Sequence, residues 1–203
     1  WLIAPARQCE HPDPSSPLQG AEYTAAVLDA LTARPEVWGR TVLFVNFDEN
    51  DGFFDHVPPP APPARAADGR LWGGSTVALD GEYHDARRGP AHGTAGDPPE
   101  CHGRAYGLGP RVPMTVVSPW SRGGWVDSRV YDHTSVLRFL ERRFGVVEPQ
   151  ISPWRRAVCG DLTGALDFTR PQRRALPAWP ATRGADAAIA RAARLPAPQP
   201  PRT

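Results

Sequence analysis

The chain has 203 residues, with 23 basic side chains against 22 acidic ones and a formal charge of +1 at neutral pH. That length buries one substantial core and fits one domain or slightly more. The near balance of charge excludes a whole-chain field directed at nucleic acid or at an anionic membrane surface. Every basic residue is Arg, which together with abundant Pro and Ala reads as compositional bias rather than as an anion-binding device. Cys9, Cys101 and Cys159 lie far apart without a CxxC pair, so neither a zinc-finger pattern nor a disulfide scaffold is encoded, although one disulfide with one cysteine left over remains open. No apolar run approaches the roughly 18 residues of a membrane span. The start at Trp1, with no initiator Met, shows neither a signal peptide nor a twin-arginine leader and reads as a cut beginning, so localisation has to be argued from other features.

In chain order, residues 1–20 are rich in Pro and predict an extended segment containing "CEHPDP". "EYTAAVLDALTA", Glu22 to Ala33, places Tyr23, Ala26, Val27, Ala30 and Leu31 at helical spacing and predicts a helix with one buried face, ended by Pro35. "TVLFVNF", Thr41 to Phe47, is a continuous β-branched and aromatic run, the pattern of a strand buried on both faces of a parallel sheet. Between residues 57 and 110 the periodicity is lost, and this stretch predicts a long loop insertion of the kind that tends to be functional or poorly ordered. "VPMTVVS", Val112 to Ser118, predicts a second buried strand. "DHTSVLRFLERRF" predicts a helix capped by Asp132 or Thr134, with Val136, Leu137, Phe139, Leu140 and Phe144 as its apolar stripe. Beyond Phe168 the chain turns to Pro, Arg and Ala, with one weak helical patch around Ala187 to Leu195, and predicts a peripheral or disordered tail.

Strand, acidic loop, strand, loop and helix in this order suggest an α/β layered sheet, in which ligands gather beyond the carboxyl ends of the strands. The acidic loop falls at that place. Asp48, Glu49, Asp51, Asp55 and His56 crowd together immediately after the first strand, and carboxylates so close repel unless a cation, hydrogen bonds or water intervene. Oxygen ligands at the end of a rigid element suit a hard divalent cation. Gly52 is expected to turn the chain, and Phe53 and Phe54 to pack it, returning Asp55 and His56 to the same rim. A solvated acidic turn is the alternative for the cluster, as a surface histidine is for His56.

The stretches "DENDGFFDHVPPP", "GLGPRVPMTVVSPWSRGGWVDSRVYDHTSVLRFLERRFGV" and "ISPWRRAVCGDLTGALDF" closely resemble the bacterial phosphoesterase family of phosphatidylcholine-type phospholipases C and related acid phosphatases. The resemblance runs from about Trp1 to Phe168. It implies a three-layer α/β/α sandwich of the alkaline-phosphatase-like type, of which this chain is the C-terminal portion of the catalytic domain, with 169–203 as a tail. It further implies a divalent metal ion held by Asp48 and Glu49, a phospholipid or phosphate ester as substrate, and a secreted or periplasmic location. His11, in "EHP", resembles the family histidine that reaches the phosphoryl group or its leaving oxygen. His56 and Asp55 match the end of the acidic signature. His133, in "DHTS", matches a further motif, although a local Asp-His-Thr cap explains the same residues. Arg111 and Arg122 could face an anionic substrate or pair with neighbouring loops. The implied reaction is metal-assisted phosphoryl transfer, in which a Ser or Thr hydroxyl attacks in line and a histidine protonates the departing alkoxide. The family's nucleophile and first metal-binding segment have no visible counterpart here, so the chain is expected to lack both. A phosphatase of the same family, and a short protein that has lost catalysis and survives as a binding module or nonfunctional remnant, are the alternative readings.

Overall fold

The computed structural model describes residues 1–53, 55–66, 68–85, 99–171, 178, 184–197 and 199. They form a mixed α/β structure in two compact units, one made of 1–42 and 173–203 and the other of 43–172. Phe54 and parts of the predicted insertion and tail lie outside the described residues.

The first unit is built on α1, Pro17–Thr32. Ser16 caps it, its Oγ accepting the backbone N–H of Gln19 at 3.4 Å, and Pro17 takes the first helical position, where its missing N–H costs nothing. The helix therefore begins five residues before the predicted Glu22. Its deeply buried residues are Gly20 and Leu28, while Ala26 and Ala30 are exposed, so the inward face is rotated by about one residue from the predicted stripe. The cause is visible at Gly20: any Cβ there would collide with the side chain of Glu10, which lies across the helix, and burial there pushes the Glu10 carboxyl above its usual range. Pro35 does not simply end α1 but opens a four-residue turn, α2, Pro35–Trp38. Part of the predicted tail is ordered: α5, Ala185–Ala192, sits against α1, with the Ala185 N–H donating to Glu22 Oε1 at 3.3 Å and Ala185 buried.

In the second unit β1, Leu43–Asn46, pairs with β4, Met114–Val117. The pairing is antiparallel, with Leu43 opposite Val117 and Asn46 opposite Met114, not the parallel arrangement the apolar runs suggested. The run of hydrophobic residues reports burial and carries no information on strand direction. Burial is also shallower than expected, since most residues of both strands are half-buried. One face is covered by α3, Thr134–Phe144, where the Phe139 ring meets Phe44 edge-on with centroids 5.1 Å apart. Val136 is buried as predicted, but Phe144, in the last turn, is exposed.

The described part of the insertion is not featureless. A short hairpin joins β2, Ala64–Arg65, to β3, Leu71–Trp72, and Tyr83 bridges to Ala105. Glu82, between them, is 1% exposed and anchors the unit. Its Oε1 accepts Ser152 Oγ and, at 3.1 Å, Arg155 Nε. Arg155 also reaches Asp132 Oδ2 at 2.7 Å and the Gly107 carbonyl at 2.9 Å. Ser152 caps α4, Pro153–Val158, by accepting the Arg155 N–H at 3.0 Å, so the Ser-Pro start of α1 recurs here. Arg156, the next residue, makes a two-pronged pair with Glu141 of α3 at 2.7 and 2.9 Å. Around these polar ties Ile151, Trp154, Leu162, Leu166 and Cys159 are buried. All three cysteines are free, and burial pushes the Cys159 thiol up to about 12. No helix among the described residues is long and apolar enough to cross a membrane.

Removing one member of a buried ion pair leaves the other charged and desolvated, which costs about 3–5 kcal/mol. Arg155→Ala is expected to lower the unfolding free energy by about that amount in urea titrations. Arg142→Ala, which breaks a pair whose arginine is largely exposed, should cost less than about 1 kcal/mol. Equal small losses would refute the anchoring role.

Candidate active site

The acidic stretch leaves β1 where the sheet ends, and the residues that fix it come from far along the chain. His133 stands at the N-cap of α3 but makes no side-chain cap bond. Asp132 serves the helix start instead, its Oδ1 accepting Thr134 Oγ1 at 2.6 Å and its backbone N–H donating to Ser135 Oγ at 3.1 Å. The His133 ring is thereby free to face β1. Nε2 lies 2.8 Å from the backbone carbonyl of Asp48, and Nδ1 lies 3.1 Å from Asn46 Nδ2. A carbonyl only accepts and an amide nitrogen only donates, so these partners require a neutral ring with the proton on Nε2. His133 therefore holds the exit of β1 with both nitrogens.

Asp48 and Glu49 follow, both exposed. Asp48 Oδ1 accepts the Glu49 N–H at 3.1 Å, which holds that carboxylate close to its own backbone. Asn50 to Phe53 then form a tight turn closed from both sides, with Phe53 N–H donating to the Asn50 carbonyl at 2.9 Å and Asn50 Nδ2 to the Phe53 carbonyl at 2.6 Å. Asp51 and Gly52 both have positive φ, 54° and 76°, the backbone that Asp-Gly accommodates best. Gly52 turns the chain as predicted. Phe53 does not pack, however: the turn carries it outward and it is 77% exposed, while Phe54 lies outside the described residues.

Asp55 is consumed by a clasp. Its Oδ2 accepts both Nε and the backbone N–H of Arg111, at 2.8 and 3.1 Å, and its Oδ1 accepts Arg111 Nη2 at 2.8 Å and the Val57 N–H at 3.1 Å. The Arg111 bonds first, and the Val57 N–H second, hold the Asp55 carboxyl far below the usual carboxylate range. Arg111, a candidate for facing substrate, thus pairs with a loop. Arg122 does likewise, donating to the Gly164 carbonyl at 3.1 Å. His56 lies beside the clasp, with Nδ1 3.8 Å from Asp55 Oδ1, and is exposed. His11 belongs to the first unit, where it is exposed and its Nδ1 lies 3.1 Å from the Asp13 carbonyl.

The described residues thus gather Asp48, Glu49 and His133 around the end of β1, with Asp55 and His56 after the turn. Asn46 is the member that sequence reasoning missed. It pairs with a histidine 87 positions away, and only its place at the end of an apolar run hints at a role. As donors for a divalent cation, Asp48 and Glu49 fit in kind, being exposed carboxylates, but not in number. No group of three His, Cys, Asp or Glu side chains is placed to hold a metal ion among the described residues.

Residues 1–147 match the model of the phosphoesterase family. The chain belongs to this family. It is 59% identical over 201 residues to a non-hemolytic phospholipase C of Pseudomonas aeruginosa, a match that covers 99% of this chain and 28% of that protein. A hemolytic phospholipase C of the same organism is 53% identical over 83% of the chain and 20% of its own length. Phospholipase C A of Mycobacterium tuberculosis is 39% identical over 84% of the chain and 29% of its length. The chain therefore spans less than a third of each of these relatives.

The Asp55 clasp has a pH signature. A carboxyl held below its unfolded value of about 3.9 adds stability that is fully present above that pH and is lost as pH falls further. The thermal midpoint of the wild type should fall between about pH 5 and pH 2 more steeply than that of Asp55→Asn. Parallel curves would remove Asp55 from the acid response.

Proposed function

We propose that the protein to which this chain belongs is a phospholipase C-type phosphoric ester hydrolase that cleaves a phospholipid phosphodiester by metal-assisted phosphoryl transfer. The observation that carries the reading is the 59% identity to a non-hemolytic phospholipase C over a match that covers 99% of this chain. In this reading Asp48 and Glu49 supply two oxygen ligands to a divalent cation. The remaining ligands and the hydroxyl nucleophile would come from the part of the relatives' length that this sequence does not span. Bound there, the cation would polarise the phosphoryl oxygens.

The chain's own residues then set geometry and protons. His133 fixes the Asp48 backbone through its Nε2–H, which makes it a positioning residue. The Asp55–Arg111 clasp holds the far side of the acidic turn. His56, exposed beside it, is available to the substrate, while the assignment of proton transfer to His11 rests on the family resemblance alone. The reading includes a three-layer α/β/α sandwich of the alkaline-phosphatase-like type, in which the N-terminal half of the catalytic domain supplies further strands. A secreted or periplasmic location belongs to the same reading and rests on the family resemblance alone.

The test compares the wild-type sequence with Asp48→Asn/Glu49→Gln within a longer protein of the relatives' full length. Manganese binding by the longer protein, measured by calorimetry, should be lost in the double variant. In the longer protein, hydrolysis of p-nitrophenyl phosphocholine should fall by about 100-fold or more, since metal charge stabilisation is worth several kcal/mol. Hydrolysis of p-nitrophenyl phosphate in preference to the diester would move the assignment to a phosphatase. Unchanged metal binding and turnover in the double variant would overturn the assignment of these two carboxylates.

A further inference from the structure

Side chains two apart on a strand point to the same face, so Asn46 lies on the face of β1 that carries Phe44. That face is covered by α3, whose Phe139 meets Phe44 edge-on with ring centroids 5.1 Å apart. Two residues further along the strand, Asn46 Nδ2 lies 3.1 Å from Nδ1 of His133, at the start of the same helix. The strand runs from Phe44 to Asn46 and the helix from His133 to Phe139, so α3 lies antiparallel to β1 with its first residue over the strand end. The aromatic pair sets the spacing of the two elements. The polar pair sets what reaches the rim.

The polar pair also has a direction. His133 Nε2 lies 2.8 Å from the Asp48 backbone carbonyl, which only accepts, so Nε2 bears a proton. Nδ1 of the neutral ring is then bare and takes a donor, and the Asn46 amide supplies it. Other residue types at this position fail for reasons that can be named. A Leu or Val, which would continue the apolar run of β1, has no donor. An Asp has only acceptors; it would draw a proton onto Nδ1 and set a third carboxylate close to Asp48 and Glu49. A Ser or Thr hydroxyl turns either to donate or to accept and does not choose. What the ring holds is the Asp48 peptide, and the carboxylate follows that peptide, because Asp48 Oδ1 accepts the Glu49 N–H at 3.1 Å.

We infer that Asn46 is a positioning residue for the Asp48–Glu49 pair, acting through the His133 ring, whose Nε2-protonated neutral form it maintains. Its bearing on turnover rests on the phospholipase C reading, whereas its hold on the ring does not.

The experiment uses a longer protein of the relatives' full length, as wild type, Asn46→Asp and Asn46→Leu, with circular dichroism and thermal midpoints equal to wild type establishing that each is folded. Histidine-specific 15N labelling, with His133→Gln to assign the signals, reads the two ring nitrogens at a fixed neutral pH. Wild type should show His133 with Nε2 protonated and Nδ1 bare. Asn46→Asp, nearly identical in shape, should place a proton on Nδ1. In hydrolysis of p-nitrophenyl phosphocholine at saturating manganese, Asn46→Leu should lower kcat by about tenfold, the scale of one lost hydrogen bond, and leave KM within about twofold. The inference is overturned if His133 of wild type carries its proton on Nδ1, if Asn46→Asp leaves Nδ1 bare, or if folded Asn46→Leu turns over like wild type. A wild type that turns over no diester overturns the catalytic reading instead, and the ring nitrogens alone then decide the role of Asn46.

Discussion

The second unit depends on one half-buried cation. Arg155 stands on α4 and reaches three separate stretches of chain: Glu82 in the insertion, Asp132 before α3 and the carbonyl of Gly107 on the way to β4. None of these is close to the others in sequence, and the described strands are too short to hold them by backbone pairing alone. A guanidinium suits this task because its five donors point in fixed directions from a plane, so one side chain can satisfy several acceptors at once. The functional consequence passes through Asp132. Because Asp132 is held by Arg155 and also serves the start of α3, the next residue, His133, is presented toward β1 with its ring unburdened by capping. Through Asp132, Arg155 therefore sets the histidine at the rim.

How much of this was legible in the sequence varies with the physics behind each feature. Element types were readable where a periodic or β-branched run is long: α1, α3, β1 and β4 all stand within their predicted stretches or overlap them. Where α1 begins was missed because Ser16-Pro17 is a start signal hidden inside a Pro-rich segment read as extended, although the same dipeptide at Ser152-Pro153 opens α4. Strand direction was not readable at all, since an apolar run buries equally well in either orientation. The inward face of α1 was misjudged by one residue because it answers to Glu10, a tertiary neighbour that helical spacing cannot reveal.

At the candidate site, the acidic cluster was visible as a composition, but the division of labour within it was not. Asp55 looked like one more potential ligand, yet its two oxygens accept four hydrogen bonds, three of them from a residue 56 positions away. Asp48 and Glu49 differ from it in remaining exposed at the end of the sheet. The distinction between a structural and a chemical carboxylate lies in which donors surround each one. A single sequence does not encode those donors locally. The same holds for His133, whose two bonds both cross more than 80 residues.

The Asp55–Arg111 clasp also bears on how such a chain can diversify. It ties together the two ends of the whole stretch between β1 and β4, so that whatever lies inside is closed at its base. For a flexible loop already closed, doubling its length costs only about 0.6 kcal/mol. Apart from Glu82 and Gly107, which Arg155 holds, the enclosed stretch can thus lengthen or shorten while the strands outside keep their places. Chains that share the clasp could then differ in the residues inside it without moving the strands at its base.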